Sequence, residues 1–299
     1  MLTRSPGPAL RPYVDTLWVT DLKAELIPEA RRELVLPTGS MHLAIRIAET
    51  PVRIFDAVDA AVGREVGHAV IGGACAGYFV RDVSQPAASV GAMLRPGAAP
   101  LLLGAPADAL SGRHTALEDL WGSAAAPVRE RLAQMKTADE RLDYFEAVLV
   151  TRLPRLRAIH PAVAEALECF RESSDVRRVV ERTGYSHRRF IELFREAVGL
   201  TPKLYCRVLR FHRVIERASA DDAASWAELA LSAGYADQAH FNHDFREFAG
   251  VTPGRYRELS PARSHHVPLR FAGLRPLQKM ALNKNAIPIS ATVQTNVRR

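Results

Sequence analysis

The sequence predicts an α+β chain. Its first half reads as a small β-barrel or sandwich carrying a helical hairpin, and its second as an all-α domain of two helix-turn-helix units joined by a long helix. Three observations carry this. Between about 30 and 105 the chain runs in short apolar stretches cut by Gly, Pro and Asp. From 161 to 259 the apolar residues recur at helical spacing. Finally, GYSHRRFIELFREAVGLTPKLY at 184–205 returns as GYADQAHFNHDFREFAGVTPGRY at 234–256.

The strand-like stretches come first: ELVL, MHLAIRI, VRIF, AVIGGA, YFVRDV and ASVGAML, several alternating apolar with polar residues. Strands this closely spaced point to a barrel or sandwich. From Thr115 the period turns helical, in TALEDLWGSAAAPVRERLAQM and TADERLDYFEAVLVTRL. Thr137 stands three residues before Glu140, the spacing of a capping box, and Leu142, Phe145, Leu149 and Leu153 share the face that follows. LPRLRAIHP, with Pro154 and Pro161, breaks the pattern and suits an interdomain link. The expected domains are therefore 1–155, 160–259 and a tail from 260 to 299.

Composition excludes several classes. The chain has 299 residues, 47% of them hydrophobic and 24% charged, as in folded proteins with room for two cores. Neither a signal-peptide pattern at the start nor a run of eighteen apolar residues is present, so a cytoplasmic protein without a membrane partner is expected. Cys75, Cys169 and Cys206 lie far apart and read as reduced thiols.

The net charge of +7 resides in residues 261–299, which hold seven basic residues and no acid, so the overall charge says little about the folded part. The helical half is uneven: 171–217 carries net +6 and 218–260 net −4. The tail, basic and without periodicity, reads as largely disordered.

The repeat can be read physically. From Phe190 and Phe241 onward the copies stay in phase at an offset of 51, through Gly199 and Gly250, Thr201 and Thr252, Pro202 and Pro253, to Tyr205 and Tyr256. Upstream, DVRRVVERTGY and SWAELALSAGY each spell a short amphipathic helix running into a glycine, which accepts the left-handed conformation at a helix end. Ser225 and Glu228 form another capping box. Short helix, turn and second helix is the unit whose second helix can enter a DNA major groove. TPKLYCRVLRFHRVIERA would join the two units as a helix of roughly fifteen residues, about 22 Å long.

On these motifs, the paired Gly-Tyr turns, the FRE-x-x-G-x-TP-x-x-Y closures at 194–205 and 245–256 and the stretch DQAHFNHDFREFAG, residues 160–259 resemble the DNA-binding domain of AraC/XylS-type transcription regulators. RPYVDTLW, LPTGSMHLAI, LRPGAAPLLLG and ALEDLW resemble an N-terminal domain of some members, which implies a sensory role. The resemblance implies a sequence-specific regulator binding double-stranded DNA, an activator or a repressor. RNA polymerase, a small-molecule effector and a second copy of the chain, paired through the helices at 115–153, are further expected partners.

By position in the family motif, the first recognition helix would turn Arg188, Ile191 and Glu192 to base edges, with His187 and Arg189 nearer the backbone. Arginine suits guanine, glutamate cytosine N4 and isoleucine a thymine methyl. The second would offer Gln238, Ala239, His240 and His243, with Asn242 beside them. Lys203 and Arg207 are candidate phosphate contacts. Asp237 suits a helix cap, whereas Asp244 sits awkwardly near phosphates. The first unit would supply most phosphate attraction and the second chiefly selectivity.

An effector pocket would draw on Trp18, His42, Arg46, Tyr78 and Arg95, each equally well placed as core or rim. No catalytic set, cofactor or metal site is expected. His42, His68 and His114 show no HxH or HxxxH spacing, as a cupin-like enzyme would require, and Cys75 has no second cysteine nearby to support alkyl transfer. Those enzymes tethered to DNA are the remoter alternatives; the nearer one is a regulator whose N-terminal domain is purely structural or dimerising.

Overall fold

A computed structural model describes residues 1–20, 30–85, 87–153, 158–221 and 223–270. The chain begins with strands β1 (Leu2–Arg4), β2 (Val14–Thr20), β3 (Ala30–Val35), β4 (Met41–Arg46), β5 (Val52–Phe55), β6 (Arg64–Gly67), β7 (Ala69–Gly72), β8 (Phe79–Asp82) and β9 (Ser89–Leu94). Two short helices, α1 (Ala99–Leu103) and α2 (Ala107–Leu110), precede β10 (His114–Ala116), α3 (Glu118–Trp121), α4 (Ala125–Gln134) and α5 (Ala138–Thr151). The second half holds α6 (Pro161–Glu172), α7 (Val176–Thr183), α8 (His187–Val198), α9 (Pro202–Ala220), α10 (Trp226–Ser232), α11 (Gln238–Ala249) and α12 (Pro253–Leu259), then β11 (His266–Arg270).

The strands form two antiparallel sheets, ordered β1-β2-β9-β4-β7-β10 and β11-β3-β8-β5-β6. The arrangement is not a closed barrel; of the two forms expected, the layered one is found. The alternation in β4 explains the layering. Met41, Leu43 and Ile45 are buried in the main core with Leu142, Phe145 and Leu149 of α5, whereas His42, Ala44 and Arg46 line a pocket facing the other sheet. The capping box at Thr137 and Glu140 is present at the start of α5. The helical period expected from Thr115 starts later, because His114–Ala116 pairs with β7 as an edge strand.

The proposed link lies partly outside the described residues, which omit 154–157; Pro161 opens α6 at its first turn, where a missing N–H costs nothing. The tail reading needs correction. His266 to Arg270 pair antiparallel with β3, from His266↔Val35 to Arg270↔Ala30, so its first segment completes the N-terminal sheet. VPL at 267–269 is buried, and composition could not reveal that a strand edge was waiting for it. Residues 271–299 lie outside the described residues.

The repeat reappears as repeated packing. Phe190 and Phe194 lie 5.9 Å apart, and Phe194 and Tyr205 5.5 Å; their counterparts Phe241 and Phe245 lie 5.5 Å apart, and Phe245 and Tyr256 5.7 Å. In both copies a threonine caps the next helix and a proline follows it: the Thr201 hydroxyl accepts from the Leu204 amide, and that of Thr252 from the Arg255 amide. The joining helix α9 has 19 residues, against the roughly fifteen expected, and so spans about 28 Å. Val208, Phe211, Val214 and Ile215 of α9 are buried, Phe211 against Phe245 and Phe248 of the second unit.

Candidate nucleic-acid interface

The second helix of each unit turns its first turns to solvent. Ser186 caps α8, accepting from the Arg189 amide at 3.3 Å, and Asp237 caps α11, accepting from the His240 amide at 2.7 Å. The cap expected for Asp237 is thus in place. Phe190 and Phe194 on α8, and Phe241 and Phe245 on α11, fix each helix's rotation by their burial. The opposite faces are left free. His187, Arg188, Arg189 and Glu192 are exposed and Ile191 is half-buried; Gln238, Ala239 and His243 are exposed, with His240 and Asn242 half-buried. Lys203 is exposed in the first turn of α9.

Electrostatics within these faces is less simple than a count of charges. The Arg188 Nε lies 3.2 Å from Glu192, and Arg189 Nη1 3.4 Å from its other oxygen. These hydrogen bonds hold the Glu192 carboxyl below its ordinary pKa. Arg188 remains 92% exposed, so exchanging this surface pair for a phosphate costs little.

Arg207 is different, being engaged within the protein. Its Nη2 lies 2.6 Å from Asp244 Oδ1 and 2.6 Å from Glu247 Oε2, and its guanidinium sits 5.0 Å from the Phe248 ring centre. Burial works against its charge, but the hydrogen bonds to Asp244 and Glu247 outweigh it and raise the pKa. Asp244 is 1% exposed, so it is no carboxylate facing phosphates: it anchors α11 to α9. The sequence contrast of +6 against −4 is therefore partly cancelled across the unit boundary, since Arg207 counts in the first segment and its acids in the second.

The opposite ends of both helices meet the N-terminal half of the chain, which sequence reasoning missed. Gly199 ends α8 at φ +90, and a Cβ there would lie 2.9 Å from Met41 Cε and 3.1 Å from the Ala107 carbonyl oxygen. Gly250 ends α11 at φ +71, and a Cβ there would run into the Tyr78 ring. Glycine is required at both positions for backbone conformation and for close approach. The signal was half visible, as glycines repeated at one offset, but what approaches them was not.

Of the expected effector residues, Trp18, His42 and Arg46 line one pocket between the sheets, with Phe79, Arg81 and His114. Tyr78 and Arg95 do not join them. Tyr78 packs on Gly250, and Arg95 donates to the Arg11 carbonyl oxygen and pairs with Asp15 on the surface. The cavity measures only about 30 Å³, room for about one water. Burial pushes the His42 imidazole down to about 4 and that of His114 to about 3, and His114 Nε2 is buried with no hydrogen-bond partner among the described residues. Burial likewise lowers the Arg46 pKa, to about 10, though its guanidinium donates to the Pro51 carbonyl at 2.9 Å.

The Cys75 thiol is pushed up to about 11 by burial, the opposite of what a nucleophile needs. Elsewhere, His212, Glu216 and His265 bring three potential ligand atoms within 4.8 Å of one another. Among the described residues no helix is long and apolar enough to cross a membrane.

Residues 179–259 match the family described as "Helix-turn-helix domain", and residues 2–116 match "Domain of unknown function (DUF6597)". No curated protein matches the sequence. Among solved structures, the chain is similar to an apo ToxT variant from Vibrio cholerae strain SCE256, at 11% identity over 86% of this chain and 100% of that one, with a TM-score of 0.44. It is also similar to unsaturated fatty acid-bound wild-type ToxT from the same strain, at 10% identity over 81% and 94% of the two chains, with a TM-score of 0.44. The paired helix-turn-helix units, the capped and exposed faces of α8 and α11 and the family match over 179–259 make the second half of this chain a helix-turn-helix domain, the architecture of DNA-binding regulators of transcription.

Proposed function

We propose that α8 and α11 read successive major-groove segments on one side of a DNA duplex, and that the N-terminal domain sets their relative position in response to a small molecule. The observation that carries this is the contrast between the two ends of each helix. The starting turns are free, with Arg188, Arg189, Gln238 and His243 exposed, while the closing glycines are held against Met41, Ala107 and Tyr78. A shift between the sheets is thereby transmitted to both reading helices.

In this reading Arg188, Ile191 and Glu192, and Gln238, Ala239, His240 and His243, address base edges. His187, Arg189, Lys203 and Asn242 address the backbone. The units fall at 1–155 and 160–259, with β11 as a return strap. The chain acts in the cytoplasm as a homodimer that engages RNA polymerase, and does no catalysis.

Salt-dependent binding to a selected operator tests the DNA part. Replacing Arg188 with alanine is expected to flatten the slope of log K against log salt by about 0.9 if one phosphate contact is lost, or to relax preference at one base pair if the contact is to guanine. Unchanged affinity, slope and preference would remove Arg188 from the interface. A thermal-shift screen of small metabolites tests the sensory part, because a ligand confined to the folded state raises Tm.

A second reading, in which the N-terminal domain is purely structural, is favoured by the small cavity: about 30 Å³ admits no metabolite unless the sheets part. Failure of every metabolite to shift Tm, with DNA binding intact, selects it.

A further inference from the structure

We propose that His212, Glu216 and His265 form a binding site for a divalent transition-metal ion, of the zinc, cobalt or nickel kind, at the seam between the joining helix α9 and the strand β11.

His212 and Glu216 stand four residues apart on α9, one turn above the other on the same face. His265 comes from the segment after α12, which doubles back through Ser260 at φ +41 and delivers the chain into β11. There His265 Nε2 lies 2.7 Å from His212 Nδ1 and 3.2 Å from Glu216 Oε1. The His265 side chain is 12% exposed and that of Glu216 52%, so the group is closed on the protein side and open on the other.

The donor set suits such an ion. Two imidazole nitrogens and one carboxylate oxygen are borderline ligands, and the open side leaves a fourth position for water. Two imidazole nitrogens 2.7 Å apart can share only one proton, whereas a cation between them takes a lone pair from each. With bonds of about 2.0–2.1 Å to a tetrahedral ion, the nitrogens would stand about 3.3 Å apart, an opening of roughly 0.6 Å that side-chain rotation can supply. The carboxylate is already oriented, since the Ser264 hydroxyl donates to Glu216 Oε1 at 2.7 Å, an outer partner of the kind metal ligands require.

An ion here would join the helix that connects the reading units to the strand that enters the N-terminal sheet. His266, the next residue, donates from the opposite side of the seam to Glu33 of β3. The site is separate from the pocket between the sheets, so it constitutes a second input. No spacing along one element marks this site, because His265 joins the other two only through the fold.

The full-length chain, stripped with chelator, would be titrated with Co(II) while the visible d–d bands are followed, then challenged with Zn(II). We expect one saturable equivalent, displaced by Zn(II), with affinity weakened at least tenfold in E216Q and abolished in H265A. Circular dichroism checks the fold of each variant. Because Glu216 is half exposed, its amide keeps the fold, and E216Q decides if H265A does not fold. Absence of saturable bands in the native chain, or equal affinity in E216Q, overturns the proposal. Neither result bears on DNA binding by Arg188.

Discussion

Arg207 separates a structural role from a DNA-binding one. Replacing it with alanine removes the closest ionic partner of Asp244, a carboxylate 1% exposed whose other ion pair, with His240, is 3.8 Å long, and one of the partners of Glu247; Arg207 lies 2.6 Å from both acids. Leaving a buried charge without its counter-ion costs about 3–5 kcal/mol, far more than losing an exposed pair such as Arg188 with Glu192. For a chain of this size the larger figure lowers Tm by roughly 10 °C. The companion variant D244N removes the charge and keeps the volume, so the double variant R207A/D244N should be less destabilised than the two single losses added, by about 2 kcal/mol or more. Urea unfolding of the four proteins at neutral pH measures this. Strict additivity, or an R207A protein as stable as the native chain but with a salt slope of DNA binding reduced by about 0.9, would refute the anchoring role and return Arg207 to the phosphate backbone.

Stability should fall on mild acidification. His42 and His114 have folded pKa values lowered to about 4 and about 3 by burial, so between there and the ordinary value of about 6.5 the unfolded chain binds the extra protons. Their contribution is complete above about 6.5 and declines as pH drops, by about 2 kcal/mol per histidine from pH 7 to 5; a urea midpoint unchanged across that range contradicts their burial as neutral rings. The glycines offer a matched pair. Gly184 and Gly250 share φ +71, but open space surrounds the first and the Tyr78 ring crowds the second. G184A should cost about 1–2 kcal/mol for the left-handed backbone alone, and G250A distinctly more; equal Tm values for the two would show that Tyr78 does not hold α11.

The residues that sequence reasoning placed well are those whose partners are close in the chain. Thr137 with Glu140, Ser225 with Glu228, and Asp237 with the His240 amide are three-residue relations, which a helix start imposes wherever it occurs. The buried stripes of α8, α9 and α11 follow from the helical period. The repeat doubled this information, since the same spacing read twice marked Phe194 with Tyr205, and Phe245 with Tyr256, as one packing unit used twice.

What only the tertiary structure decided involves groups far apart in the chain. Alternation in β4 showed that two faces exist, but not that the face of His42 and Arg46 meets a second sheet instead of water. Asp244 looked misplaced because its partner stands 37 residues away, and His265 reaches His212 across 53. VPL at 267–269 had no local reason to be a strand; it became one because β3 offered an edge. Amphipathic period and helix caps are properties of neighbouring residues, set before the chain has a path. Ion pairs, ligand clusters and sheet edges depend on that path, which many weak contacts determine together.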